Sequence, residues 1–145
     1  MLERRRKVEL QRLTPVIFQW IELYGFEAPF RLPELWDGGG RSFSLIRELR
    51  LPEERGVLRC QELVQRGMLS SEPDSKFKPT RAFTPENVNA AMKERATDPV
   101  ADEKSVAWSL KAGGNLLRLR VKVMRGITGP EIAIVMFLAD ALPAR

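Results

Sequence analysis

Residues 44–86, SLIRELRLPEERGVLRCQELVQRGMLSSEPDSKFKPTRAFTPE, constrain this chain more than any other stretch, because they string helix starts and stops in a fixed order. Leu45, Ile46 and Leu49 recur at helical spacing, so residues 44–50 are predicted to lay an apolar stripe on a core while Arg47 and Glu48 stay in water. Pro52 suits a first helical position, where its missing N–H costs nothing, and Glu53 and Glu54 suit the positive end of a helix dipole. A second helix of about four turns is therefore predicted from Pro52. It carries Gly56, Cys60, Leu63 and Val64 on one side, and Gly67 is placed as the left-handed residue that stops it.

After Gly67 the chain returns to extended structure at Met68 and Leu69. Pro73-Asp74-Ser75 is a turn signal, Lys76-Phe77-Lys78 alternates polar and apolar, and Arg81-Ala82-Phe83 is predicted to pair back as the second strand of a short ribbon. Thr84, Pro85 and Glu86 then read as N-cap, first helical position and first-turn acid. On these residues, roughly 43–95, the chain resembles the winged helix-turn-helix bacterial regulators of the MarR, PadR and ArsR type. LRLPEERGVLRCQELVQRGMLS occupies their turn, recognition helix and exit, and RAFTPEN their wing strand and following cap.

That resemblance implies double-stranded DNA as partner and transcription regulation as the role. Residues 52–66 would enter the major groove with Arg55, Arg59 and Gln61 nearest the bases, while Lys76, Lys78 and Arg81 on the wing would meet adjacent phosphates. The chain departs from the pattern at the leading end of the recognition helix, where Glu53 and Glu54 would face phosphates and Val57-Leu58 is as suited to a protein as to thymine methyls. The alternative is therefore a winged-helix protein-interaction module acting on transcription or replication machinery.

The flanks extend this plan to an α+β chain, a winged helix-turn-helix domain followed by a C-terminal β-hairpin and an apolar helix. Leu10, Leu13, Ile17, Trp20, Ile21 and Tyr24 mark an amphipathic first helix, capped afresh or kinked at Thr14-Pro15 and ended by Gly25. Residues 1–97 form the first unit, with an inserted loop over 25–41. Residues 98–145 form a second, a dimerisation or packing extension. There Leu117, Leu119, Val121 and Val123 alternate with Arg118, Arg120 and Lys122 after a Gly113-Gly114-Asn115 turn, giving a hairpin with one basic face. Those three cations are a possible second nucleic-acid surface, for single strands or RNA. Thr128-Gly129-Pro130-Glu131 fits a capping box, so EIAIVMFLADAL is predicted as a buried helix, with a third strand as the alternative, and its apolar surface points to a homodimer.

Composition removes several function classes. With no histidine, the commonest general base, the Ser-His and Cys-His nucleophiles and the usual zinc ligands are gone together. One cysteine, Cys60, allows neither an internal disulfide nor a cysteine metal cluster. No enzyme activity, catalytic residue, metal or cofactor is expected. No apolar run approaches the ~18 residues that span a bilayer, and MLERRRKVEL has no apolar core of a signal peptide, so the chain is expected in the cytoplasm with no membrane partner. A net charge of +5 permits nucleic-acid binding without requiring it.

Overall fold

The computed structural model describes residues 2–37, 49–92, 106–112, 114–125 and 132–143, with side chains over 5–37, 49–92, 111–112, 114–120 and 137–143. Four helices and five strands are described: α1 (Leu2–Tyr24), α2 (Leu32–Trp36), α3 (Glu53–Gln65), β1 (Leu69–Glu72), β2 (Lys76–Pro79), α4 (Pro85–Met92), β3 (Val106–Ala112), β4 (Asn115–Arg125) and β5 (Ile132–Pro143). The fold is mixed α and β, with a two-stranded ribbon β1-β2 and an antiparallel sheet in the order β3-β4-β5. No described helix is long and apolar enough to cross a membrane.

Helix α1 runs through Pro15 without a break. Thr14 faces the core and its Oγ1 donates to the Leu10 carbonyl at 2.7 Å, so the residue expected to cap a new helix instead bonds back within the old one. Gly25, at φ 75°, ends α1 with its N–H on the Ile21 carbonyl. Trp20 is buried and donates from Nε1 to the Ala28 carbonyl at 2.9 Å, which holds the following loop against the helix. Within the stretch expected to be an inserted loop, Phe30 forms an antiparallel bridge with Phe77 of β2, through N–H···O bonds of 2.8 and 2.9 Å, and α2 follows directly. Of the helix predicted over 44–50, only Leu49 and Arg50 lie among the described residues; Leu49 is buried.

Helix α3 begins one residue after Pro52, whose carbonyl takes the Gly56 N–H. Its end is a Schellman motif: Gly67 at φ 76° bonds to the Val64 carbonyl and Met68 to that of Leu63, while both Leu63 and Met68 are buried. Gly56 is where α3 meets α2, since a Cβ there would lie 3.2 Å from Leu32 Cδ1. The ribbon departs from its predicted register. Its second strand is Lys76–Pro79, pairing Glu72 with Lys76 and Leu69 with Pro79, and Arg81 to Phe83 form the turn into α4. Thr80 explains the early exit: its Oγ1 donates to the Gly67 carbonyl at 2.6 Å and accepts the Ala82 N–H, which bends the chain before residue 81. Thr84 then caps α4 by accepting the Asn87 N–H.

The C-terminal segment predicted as an apolar helix is strand β5, paired with β4 along its whole length. Ile132, Ile134 and Val135 are β-branched and suit a strand. A β-bulge lies where Arg118 pairs with Asp140 and Leu119 with Leu138, so Ala139 is the extra residue. The bulge brings Leu138 and Ala141, three apart, to the buried side, a spacing that imitates a helix. Phe137, opposite Arg120, is buried as well, which erases the alternation expected of a strand with one wet face. The capping box over 128–131 lies outside the described residues.

Ala112, Leu117, Leu119, Leu138 and Ala141 from the sheet share one core with Leu10, Leu13 and Ile17 of α1 and Val88, Ala91 and Met92 of α4. Asn89 fastens the junction, donating from Nδ2 to the Ala141 carbonyl at 2.8 Å and accepting the Ala141 N–H at 3.0 Å, as a neighbouring strand would. Asn89→Ala leaves both backbone groups unpaired and is expected to cost about 2 kcal/mol in urea unfolding, with faster amide exchange at Ala141. Unchanged stability and exchange would show that water replaces the clamp. Cys60 lies fully inside the core, and burial pushes its thiol pKa up from 9.0 to about 12. Because the folded value exceeds the unfolded one, this group's contribution to stability is complete below about pH 9 and is lost as pH rises toward about 12. Cys60 should resist alkylation at pH 8 in the native chain and react fully in denaturant; rapid native alkylation would contradict its burial.

Candidate functional site

The outer face of α3 and the ribbon beside it carry Gln61, Lys76 and Lys78 of the residues expected from sequence to meet nucleic acid. Glu53, Glu54, Leu58, Gln61 and Gln65 of α3 are exposed, and Val57 and Val64 are half-buried. A groove of about 680 Å³ runs between this face and a second wall made by Arg31, Leu32, Pro33, Ser71, Ser75, Lys76 and Phe77, within the range of small ligand and peptide sites. Phe77 is positioned by its bridge to Phe30, their rings 6.3 Å apart, and Leu32 by its contact with Gly56. Arg31 Nε donates to the Asp74 carbonyl at 3.2 Å, tying the start of α2 to the ribbon turn.

Arg55 and Arg59 are turned to the opposite side. Glu9 of α1 keeps only 8 % of its side chain exposed, and Arg55 binds it in fork geometry with Nε at 2.7 Å and Nη2 at 2.9 Å. The hydrogen bond to Glu9 is the main reason the Arg55 pKa is held above its usual value. Arg59, 12 % exposed, places Nε 3.5 Å from Glu9, an ion-pair rather than hydrogen-bond separation, and Nη1 2.9 Å from Glu62. Glu62 also receives Arg6 at 2.6 Å and Arg66 at 3.6 Å. The two arginines expected to face base edges thus serve as bridges between α3 and α1. Gln61, the third residue of that set, does line the groove.

The cations expected on the wing divide as well. Lys76 lines the groove, Lys78 lies 3.6 Å from Glu72 across the ribbon, and Arg81 stacks its guanidinium 4.3 Å from the centre of the Phe26 ring. On the sheet, Arg118 is exposed and forms a bidentate pair with Asp140, which holds its pKa above the usual value, while Arg120 is half-buried. Lys122 pairs with Val135 in register, and its side chain lies outside the described residues. The groove wall from residues 31–33 carried a faint sequence signal, the apolar run in FEAPFRLPELW, but nothing local shows that it meets the ribbon. Among the described residues no cluster of acids and cysteine has the makings of a metal site. No protein-family model, curated protein or solved structure matches this chain.

Glu9→Gln would leave Arg55 and Arg59 without their shared carboxylate. The expected loss is about 2 kcal/mol in urea unfolding, less than for a wholly buried pair because Arg55 is nearly a third exposed. A loss under about 0.5 kcal/mol would mean that solvent screens the network.

Proposed function

We propose that residues 1–97 form a winged-helix unit that works as a protein-interaction module, with the outer face of α3 and the ribbon as its contact surface. The order of α1, the Phe30 bridge, α3, the ribbon and α4 supports the winged-helix part of this reading. One observation carries the choice of partner. With Arg55 and Arg59 committed to Glu9 and Glu62, the exposed positions of α3 hold Glu53, Glu54, Leu58, Gln61 and Gln65, and the exposed C-cap cation Arg66 lies 3.6 Å from Glu62.

A helix entering a DNA groove sets its N-terminal N–H groups and dipole near phosphates. Here that end carries Glu53 and Glu54, which satisfy the dipole themselves and repel a polyanion. Leu58, 43 % exposed, is the large apolar group that a protein partner would cover. Of the residues that the sequence resemblance assigns to DNA, Gln61, Lys76, Lys78 and Arg81 are the ones a duplex would meet.

Titration of random-sequence duplex, single strand and RNA at two salt concentrations tests this choice. The expected result is weak binding to all three, unaffected by replacing Lys76 and Lys78 with Ala. Submicromolar duplex binding whose salt slope falls by about two units in that double variant would restore the DNA reading.

A further inference from the structure

Resting on the protein-interaction reading, we infer that the groove between α3 and the ribbon takes a short extended peptide segment of a partner protein, with a basic and an acidic side chain at adjacent positions, one facing each wall, beside an apolar one. Its apolar lining comes from Val57 and Val64 on the helix side and Leu32, Pro33 and Phe77 on the other. Its walls differ in charge. The helix wall contributes Glu53, with Glu54 beside it in the first turn of α3, and neither has an ion pair among the described residues. The ribbon wall contributes Arg31 and Lys76, and Lys76 likewise has no ion pair among the described residues.

Opposed walls of opposite sign select an occupant that is itself divided. An extended segment sends successive side chains to opposite sides, so a Lys or Arg can meet Glu53 while an Asp or Glu meets Arg31 and Lys76. Duplex DNA, negative on all sides, satisfies one wall and is repelled by the other. The stripe from Glu53 to Gln65 is about 18 Å long, which holds about five extended residues. Both walls are also built to stay in place, since α2 is held to α3 at Gly56 and the ribbon to the chain before α2 by the Phe30–Phe77 bridge.

The test is selection of a random heptapeptide display library on the full chain, followed by titration of the enriched sequences as synthetic peptides. Enrichment of a basic and an acidic residue at adjacent positions, beside an apolar one, is expected. Gln61→Arg, an exposed change that fills the groove, should weaken a selected peptide about tenfold or more without altering the melting temperature. Glu53→Lys with Glu54→Lys should weaken it too, and reversing the basic residue of the peptide to Glu should restore binding to that variant alone. Peptides that bind wild type and Gln61→Arg equally would overturn the groove as the site while leaving the protein-interaction reading standing. A library that yields no binder overturns the groove proposal outright, and the salt-dependent duplex titration then decides whether the broader reading falls with it.

Discussion

Glu9 sits on α1 almost out of water, and a carboxylate removed that far from solvent is tolerable only if cations come to it. Arg55 and Arg59 meet that demand, one turn apart on α3, and Glu62 draws Arg6, Arg59 and Arg66 into the same network. The consequence reaches beyond stability. Bringing residues 55 and 59 to α1 fixes the rotation of α3 about its own axis, and every other position follows from the helical period. Cys60 and Leu63 go into the core; Glu54, Leu58, Gln61 and Gln65 go out. Coulomb attraction in a half-dry site, rather than apolar burial alone, therefore decides which chemistry α3 shows to a partner.

The apolar residues supply the frame that this rotation needs. Phe18 packs edge-on against Phe83, and Trp20 against Phe30, so α1 organises both the turn into α4 and the strand-like residue that meets the ribbon. The sheet closes the other side of α1 and α4 through Leu117, Leu119, Leu138 and Ala141. A single core thus joins α1 and α4 to the sheet. The inward placement of Phe137, Leu138 and Ala141 also takes up part of the apolar surface on which a dimer was expected from sequence.

Local signals were readable because they act over one or two turns. The acids after Pro52, the stop at Gly67, the Thr84 cap and the tight hairpin between Ala112 and Asn115 each depend on neighbours a few residues away. What sequence failed to show depends on distant ones. Glu9 and Arg55 are 46 residues apart, and each, taken alone, looks like an ordinary solvated charge. The end of β2 is set by the Thr80 hydroxyl reaching the Gly67 carbonyl, and β5 read as a helix because a capping-box pattern precedes a segment apolar on nearly every side, which a strand burying both Phe137 and Leu138 also shows. The groove was invisible for the same reason: its walls come from residues 31–33, 53–65 and 71–77, brought together only by tertiary contacts.

The groove's dimensions set the kind of binding it can support. About five residues in a site of 680 Å³ bury far less than the ~1,200 Å² at which specific protein interfaces begin to be stable. Such a contact pays the entropy of ordering a flexible segment and keeps little surplus, so by itself it is weak and exchanges quickly. Walls of opposite charge offset this through orientation, since the wrong polarity of the segment places like charges together. Extra affinity has to come from outside the groove, and Leu58 and Glu54, exposed on the adjoining edge of α3, are where a folded partner carrying the segment would make it. The face is thus suited to a tethered segment presented by a larger surface, where effective concentration rather than intrinsic affinity sustains occupancy.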